Sequence, residues 1–141
     1  MTTFNRITLG LLLAIAASGQ VSPVSGPMVP ILLQSGLPMY PPIWRAAHIS
    51  GQVSVLVSIK GGRVVGTDVQ SGDSHLAIPT VSNIKTWRFG KNARGAFTVT
   101  YTYEISGEPS DAATNPRVEV LPSLDVKITA RPVKPTVNYS R

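Results

Sequence analysis

Apolar and polar residues alternate most strictly in two stretches of this chain. From Gln52 to Lys60, Val53, Val55, Val57 and Ile59 fall on one side and Gln52, Ser54, Ser58 and Lys60 on the other, with Leu56 the lone exception. Phe97, Val99, Tyr101, Tyr103 and Ile105 likewise alternate with Thr98, Thr100, Thr102 and Glu104. A period of two is that of a half-buried strand, and β-branched and aromatic side chains suit a pleated surface. Gly61-Gly62 supplies the positive φ angles of a tight hairpin turn, so Arg63 to Gln70 is predicted as the return strand, burying Val65 and Val69.

Two segments carry helical spacing instead. Pro41-Pro42 opens a short helix to Ile49, with Ile43, Ala46 and Ala47 expected on its inner face and Gly51 beyond its end. After the turn Ser71-Gly72-Asp73-Ser74, in which Asp73 or Ser74 is the expected cap, Leu76, Thr80, Val81, Ile84 and Trp87 recur on one face. Pro79 interrupts that pattern and is tolerable only in a first turn, which places the helix start near Ile78. Trp87 and Phe89 read as core anchors and Arg88 as a partner for an acid or a carbonyl at the helix end.

Beyond a Gly/Pro-containing loop, Arg117 to Leu121 and Leu124 to Arg131 form a further strand pair around Pro122-Ser123. The chain thus divides into 1–19, a signal peptide; 20–39, a Pro/Ser-rich linker; 40–106, the main domain; 107–131, added strands; and 132–141, a disordered tail. The signal reading rests on Arg6 followed by the apolar run Ile7 to Ala17. That run is shorter than the roughly 20 residues of a bilayer span, and small residues follow it at Ala17-Ser18-Gly19. A periplasmic or secreted location follows, with no stable membrane span.

The chain contains no cysteine, so disulfides, thiolate metal sites and a lipid-anchored N-terminus are excluded. A formal net charge of +6 is mildly basic, and the basic residues are scattered along the sequence, which argues against nucleic acid as a partner. Chemistry is sparse. His48 and His75 lack nearby ligand partners, and Asp68 and Asp73 read as a strand residue and a cap rather than an acid-base pair. Neither an enzyme, a metal nor a cofactor is expected.

The order and spacing of Tyr40-Pro41-Pro42, Ile49 to Val57, Gly62-Arg63-Val64-Val65, Ser71-Gly72, Trp87-Arg88-Phe89 and Phe97 to Glu104 resemble the C-terminal domain of TonB proteins. The resemblance covers about half the chain, with Tyr40, Pro41, Gly51, Gly62, Trp87, Arg88 and Phe89 as its structural motif. It implies an α+β fold, a small antiparallel sheet packed against two helices in a βαββαβ variant, here with an added C-terminal strand pair. It also implies strand addition as the mode of action, capturing an extended segment of a TonB-dependent outer-membrane transporter or another envelope protein. Phe97, Val99, Tyr101 and Tyr103 are the expected peptide-binding edge. Without a spanning helix the domain would act untethered. The added strands are expected to fill that edge, so that deleting 116–141 would raise peptide binding. The alternative is a structural envelope protein that self-associates, as a homodimer, through its edges.

Overall fold

The computed structural model describes residues 29–136, and the expected signal segment lies outside them. The elements are β1 (Leu32–Gln34), α1 (Pro42–Ala46), β2 (Gly51–Lys60), β3 (Arg63–Ser71), α2 (Ser74–Ile84), β4 (Arg88–Phe89), β5 (Gly95–Ile105), β6 (Arg117–Val120) and β7 (Val126–Ala130). They make one seven-stranded sheet in the order β1-β4-β3-β2-β5-β7-β6. This corrects the expected small antiparallel sheet packed against two helices. The sheet is wide and mixed, because β7 pairs parallel to β5, and the helices are minor, at 5 and 11 residues.

The two alternating segments form the centre. β2 pairs antiparallel with β5 in unbroken register from Gly51↔Tyr103 to Ile59↔Gly95. Val53, Val55, Val57, Ile59, Val99, Tyr101 and Tyr103 therefore share one face, and all are buried there. α2 lies over that face with Leu76, Thr80, Asn83 and Ile84, and β7 extends it with Val126, Ile128 and Ala130. Burial of this aliphatic and aromatic set is the main stabilising contribution, at about 1.5–3 kcal/mol for each large side chain.

Several local expectations change. α2 starts at Ser74 and not near Ile78: the Asp73 carboxylate accepts the His75 N–H at 2.7 Å, and the helix runs through Pro79. Capping and packing on the sheet outweigh the single amide that Pro79 removes. α1 ends at Ala46 and turns over the opposite face from that predicted. Arg45 is buried and Trp44 half-buried, while Ile43, Ala46 and Ala47 are exposed. Val65 and Val69 are also exposed, at 62% and 41%. Val65 sits at a β-bulge between Gly66 and Val64, and the outer flank of β3 is uncovered there.

The linker and tail contribute order of their own. Leu32 pairs with Phe89 and Gln34 with Arg88, and the Gly36 N–H donates to Thr86 Oγ1 at 2.7 Å. At the other end, Val133 bridges Ser110.

Candidate functional site

A sheet interacts most readily through strand flanks that lack a neighbour. β5, the expected peptide-binding edge, is an inner strand. β2 takes one flank along nearly its whole length, and β7 takes the other from Tyr101 to Ile105. Thr100 donates its N–H to Asp125 Oδ1 at 2.7 Å, which ends the ladder with a side chain in place of a backbone carbonyl. Val99, Tyr101 and Tyr103 point into the core and Phe97 is half-buried against Phe89. Tyr101 and Tyr103 are thus closed off by strands on both sides, whereas Phe97 and Val99 have a strand beside them only on the β2 flank among the described residues.

The motif residues hold the core together. Tyr40 donates its hydroxyl to the Ile49 carbonyl and meets Tyr103 edge-to-face at 5.1 Å. The Pro41 carbonyl accepts the first amides of α1, from Trp44 and Arg45. Gly51 opens β2 at φ 145°. Gly62 is required twice over: its φ is 77°, and a Cβ there would lie 2.6 Å from the carbonyl oxygens of Phe89 and Gly90. Trp87 and Phe89 are buried, and Arg88 donates to the carbonyls of Lys85 and Trp87 at the end of α2.

Behind α2 the buried polar atoms form a closed network. Asn83 Oδ1 accepts the Tyr101 hydroxyl at 2.7 Å and Trp87 Nε1 at 3.4 Å, and Asn83 Nδ2 donates to the Gly36 carbonyl at 2.8 Å. Thr80 and Tyr103 share a hydroxyl hydrogen bond of 2.8 Å, and Thr80 Oγ1 donates to the Leu76 carbonyl. Burial pushes the Tyr103 and Tyr40 phenols up to about 12, opposed by the Thr80 bond and by the Arg45 charge respectively, and raises Tyr101 as well. Among the described residues no buried side-chain nitrogen or oxygen lacks a partner, as suits a structural network rather than a reactive one.

Arg45 gave no signal in the sequence, where it reads as one more scattered cation. Its Nε donates to the Arg131 carbonyl at 2.8 Å, one terminal nitrogen to the Ala112 and Thr114 carbonyls, and the other to Ser110 Oγ. A fully buried guanidinium met by oxygens of the C-terminal segment ties α1 to the added strands, and its fork of donors makes that possible.

The longest flank without a neighbour belongs to β3. β4 touches it only at Arg63↔Arg88, so Val64 to Ser71 has no strand beside it among the described residues. Bulges at Val65 and Gln70 leave Gly66 to Val69 as its regular part. The amide directions follow from β5. Thr100 points its N–H away from β2, so Ser54 and Leu56 point theirs toward β3. Asp68, opposite Leu56, then faces inward and the Thr67 and Val69 amides face out. A groove of about 300 Å³ lined by Val64, Val65, Thr67 and Lys85 runs alongside. A second groove, about 380 Å³ and apolar, lies between α2 and Leu37, Met39 and Trp44.

Among the described residues no group of His, Asp or Glu side chains is placed to hold a metal ion. His75 is bonded to Asp73 and meets the Trp44 ring at a tilted angle of 57°. No known protein family, curated protein or solved structure matches the chain.

Proposed function

We propose that this protein is a cell-envelope module that captures an extended segment of a partner by strand addition, and that the outer flank of β3 receives it. The supporting observation is that flank: a nine-residue strand paired along one side, with outward amides at Thr67 and Val69 and a groove beside it for alternate side chains. The resemblance to TonB domains makes the periplasmic segment of an outer-membrane transporter the partner of choice. The bulges shorten the usable ladder to about four residues, so backbone bonding alone gives weak affinity and the groove must supply selectivity.

The test is hydrogen exchange on the full chain with synthetic transporter periplasmic segments. Binding at this flank slows exchange at Thr67 and Val69. Thr67→Pro removes an outward N–H without touching the β2 ladder, so it abolishes that protection while leaving thermal stability nearly intact. Protection elsewhere, or binding unaffected by Thr67→Pro, refutes the reading. The exposed Val65 and Val69 also suit self-association through the same flank, which a mass rising with concentration would reveal.

A further inference from the structure

Basic residues that lie far apart in the sequence meet at one end of the sheet. β2 ends at Lys60, its register partner Arg63 begins β3, and Arg63 pairs in turn with Arg88 of β4. The loop bearing Lys91 and Arg94 crosses over this turn, where the Gly62 N–H donates to the Ala93 carbonyl at 3.1 Å and Gly95 pairs with Ile59. Lys85, at the end of α2, lines the groove beside Val64, and its carbonyl accepts from Arg88. Six of the 13 basic residues of the chain therefore share one pole, against the scatter read from the sequence.

No acidic residue belongs to this pole. The nearest along its strands is Asp68, five residues beyond Arg63; Asp125 is bonded to the Thr100 amide, Glu119 lies opposite Lys127, and Asp73, Glu104, Glu108 and Asp111 lie toward the opposite end. The ion pairs of the described residues, His75–Asp73, Arg117–Glu119, Lys127–Glu104 and Lys134–Asp111, involve none of the six. Exposed aliphatic side chains border the cations: Ile31 and Leu33 flank Leu32, the partner of Phe89, and Val65 lies two residues from Arg63.

We propose that this pole docks the protein on an anionic lipid surface. Uncompensated cations attract lipid phosphates, and short aliphatic side chains between them enter the boundary between headgroups and acyl chains. Nucleic acid fits less well. Single strands are held by stacking on exposed aromatic rings, whereas Phe89 and Phe97, the aromatics of this end, are turned into the core against each other.

The experiment is co-sedimentation of the full chain with phosphatidylcholine vesicles with and without phosphatidylglycerol, reading the excess on the anionic ones. The excess should be large, fall as salt is raised, and weaken about fivefold for each cation removed. The exposed loop pair Lys91→Ser/Arg94→Ser should therefore cost about 25-fold, and Lys60→Ser/Arg63→Ser, at the strand ends either side of the β2–β3 turn, a similar factor. Arg117→Ser on β6, away from the pole, is the control and should leave the excess unchanged. Equal binding to both vesicles, an excess that survives both double substitutions, or preference for a single-stranded oligonucleotide over anionic vesicles would overturn the proposal.

Discussion

Asn83 is the junction through which the core's two largest polar aromatics are satisfied, and replacing it with leucine isolates that role. Leucine is close in volume, so little cavity forms, but the Tyr101 hydroxyl and the Trp87 indole N–H, both on buried side chains, lose their acceptor. An orphaned buried donor costs about 1–3 kcal/mol. The 3.4 Å Trp87 bond belongs at the low end of that range and the 2.7 Å Tyr101 bond higher. The Gly36 carbonyl is partly exposed and can turn to solvent. Asn83→Leu should thus cost about 2–5 kcal/mol, a large share of a domain's usual stability, and lower the melting temperature by roughly 8–20 °C. Urea unfolding with an unchanged slope is the assay. The decisive step is a second substitution. Tyr101→Phe in the natural chain should destabilise by about 1 kcal/mol, yet in the Asn83→Leu background it removes an orphaned hydroxyl and should stabilise by a similar amount. If Tyr101→Phe destabilises both backgrounds equally, the network does not hold the hydroxyl as described.

Deleting 116–141 removes β6 and β7, with the buried Leu124, Val126, Ile128 and Ala130, and strips Arg45 of its Arg131 acceptor. At about 1.5–3 kcal/mol per large side chain the loss rivals the stability of the whole domain, so the truncated chain should lose its cooperative melt by calorimetry and should not gain a usable edge. Retention of a sharp transition would contradict this. At alkaline pH, Tyr40 and Tyr103 have folded values near 12, above the usual phenol value of 10.0. Their contribution is full below pH 10.0 and is lost as pH rises toward 12, because the unfolded chain releases those protons first. Stability measured by urea should decline across that window, and less steeply in Tyr103→Phe.

The sequence by itself determined the elements whose information is internal to them. Alternation within Gln52–Lys60 and Phe97–Ile105 fixes two strands and the faces they bury, and Gly61-Gly62 fixes the turn between β2 and β3, whereas the start of α2, expected near Ile78 from Pro79, lies at Ser74 because packing on the sheet holds the helix through that proline. Periodicity reports a face but says nothing about which strand lies alongside. Only the tertiary structure therefore decided that β7 closes the second flank of β5 from Tyr101 onward while β3 is open along most of its length, and that Val65 and Val69 end up in water despite their strand pattern. β1 and β4, at three and two residues, are too short to carry a period and exist because they pair with each other. Arg45 and the basic pole were hidden for the same reason. A cation's burial, and its nearness to other cations, depend on contacts made across the fold, which local sequence does not record.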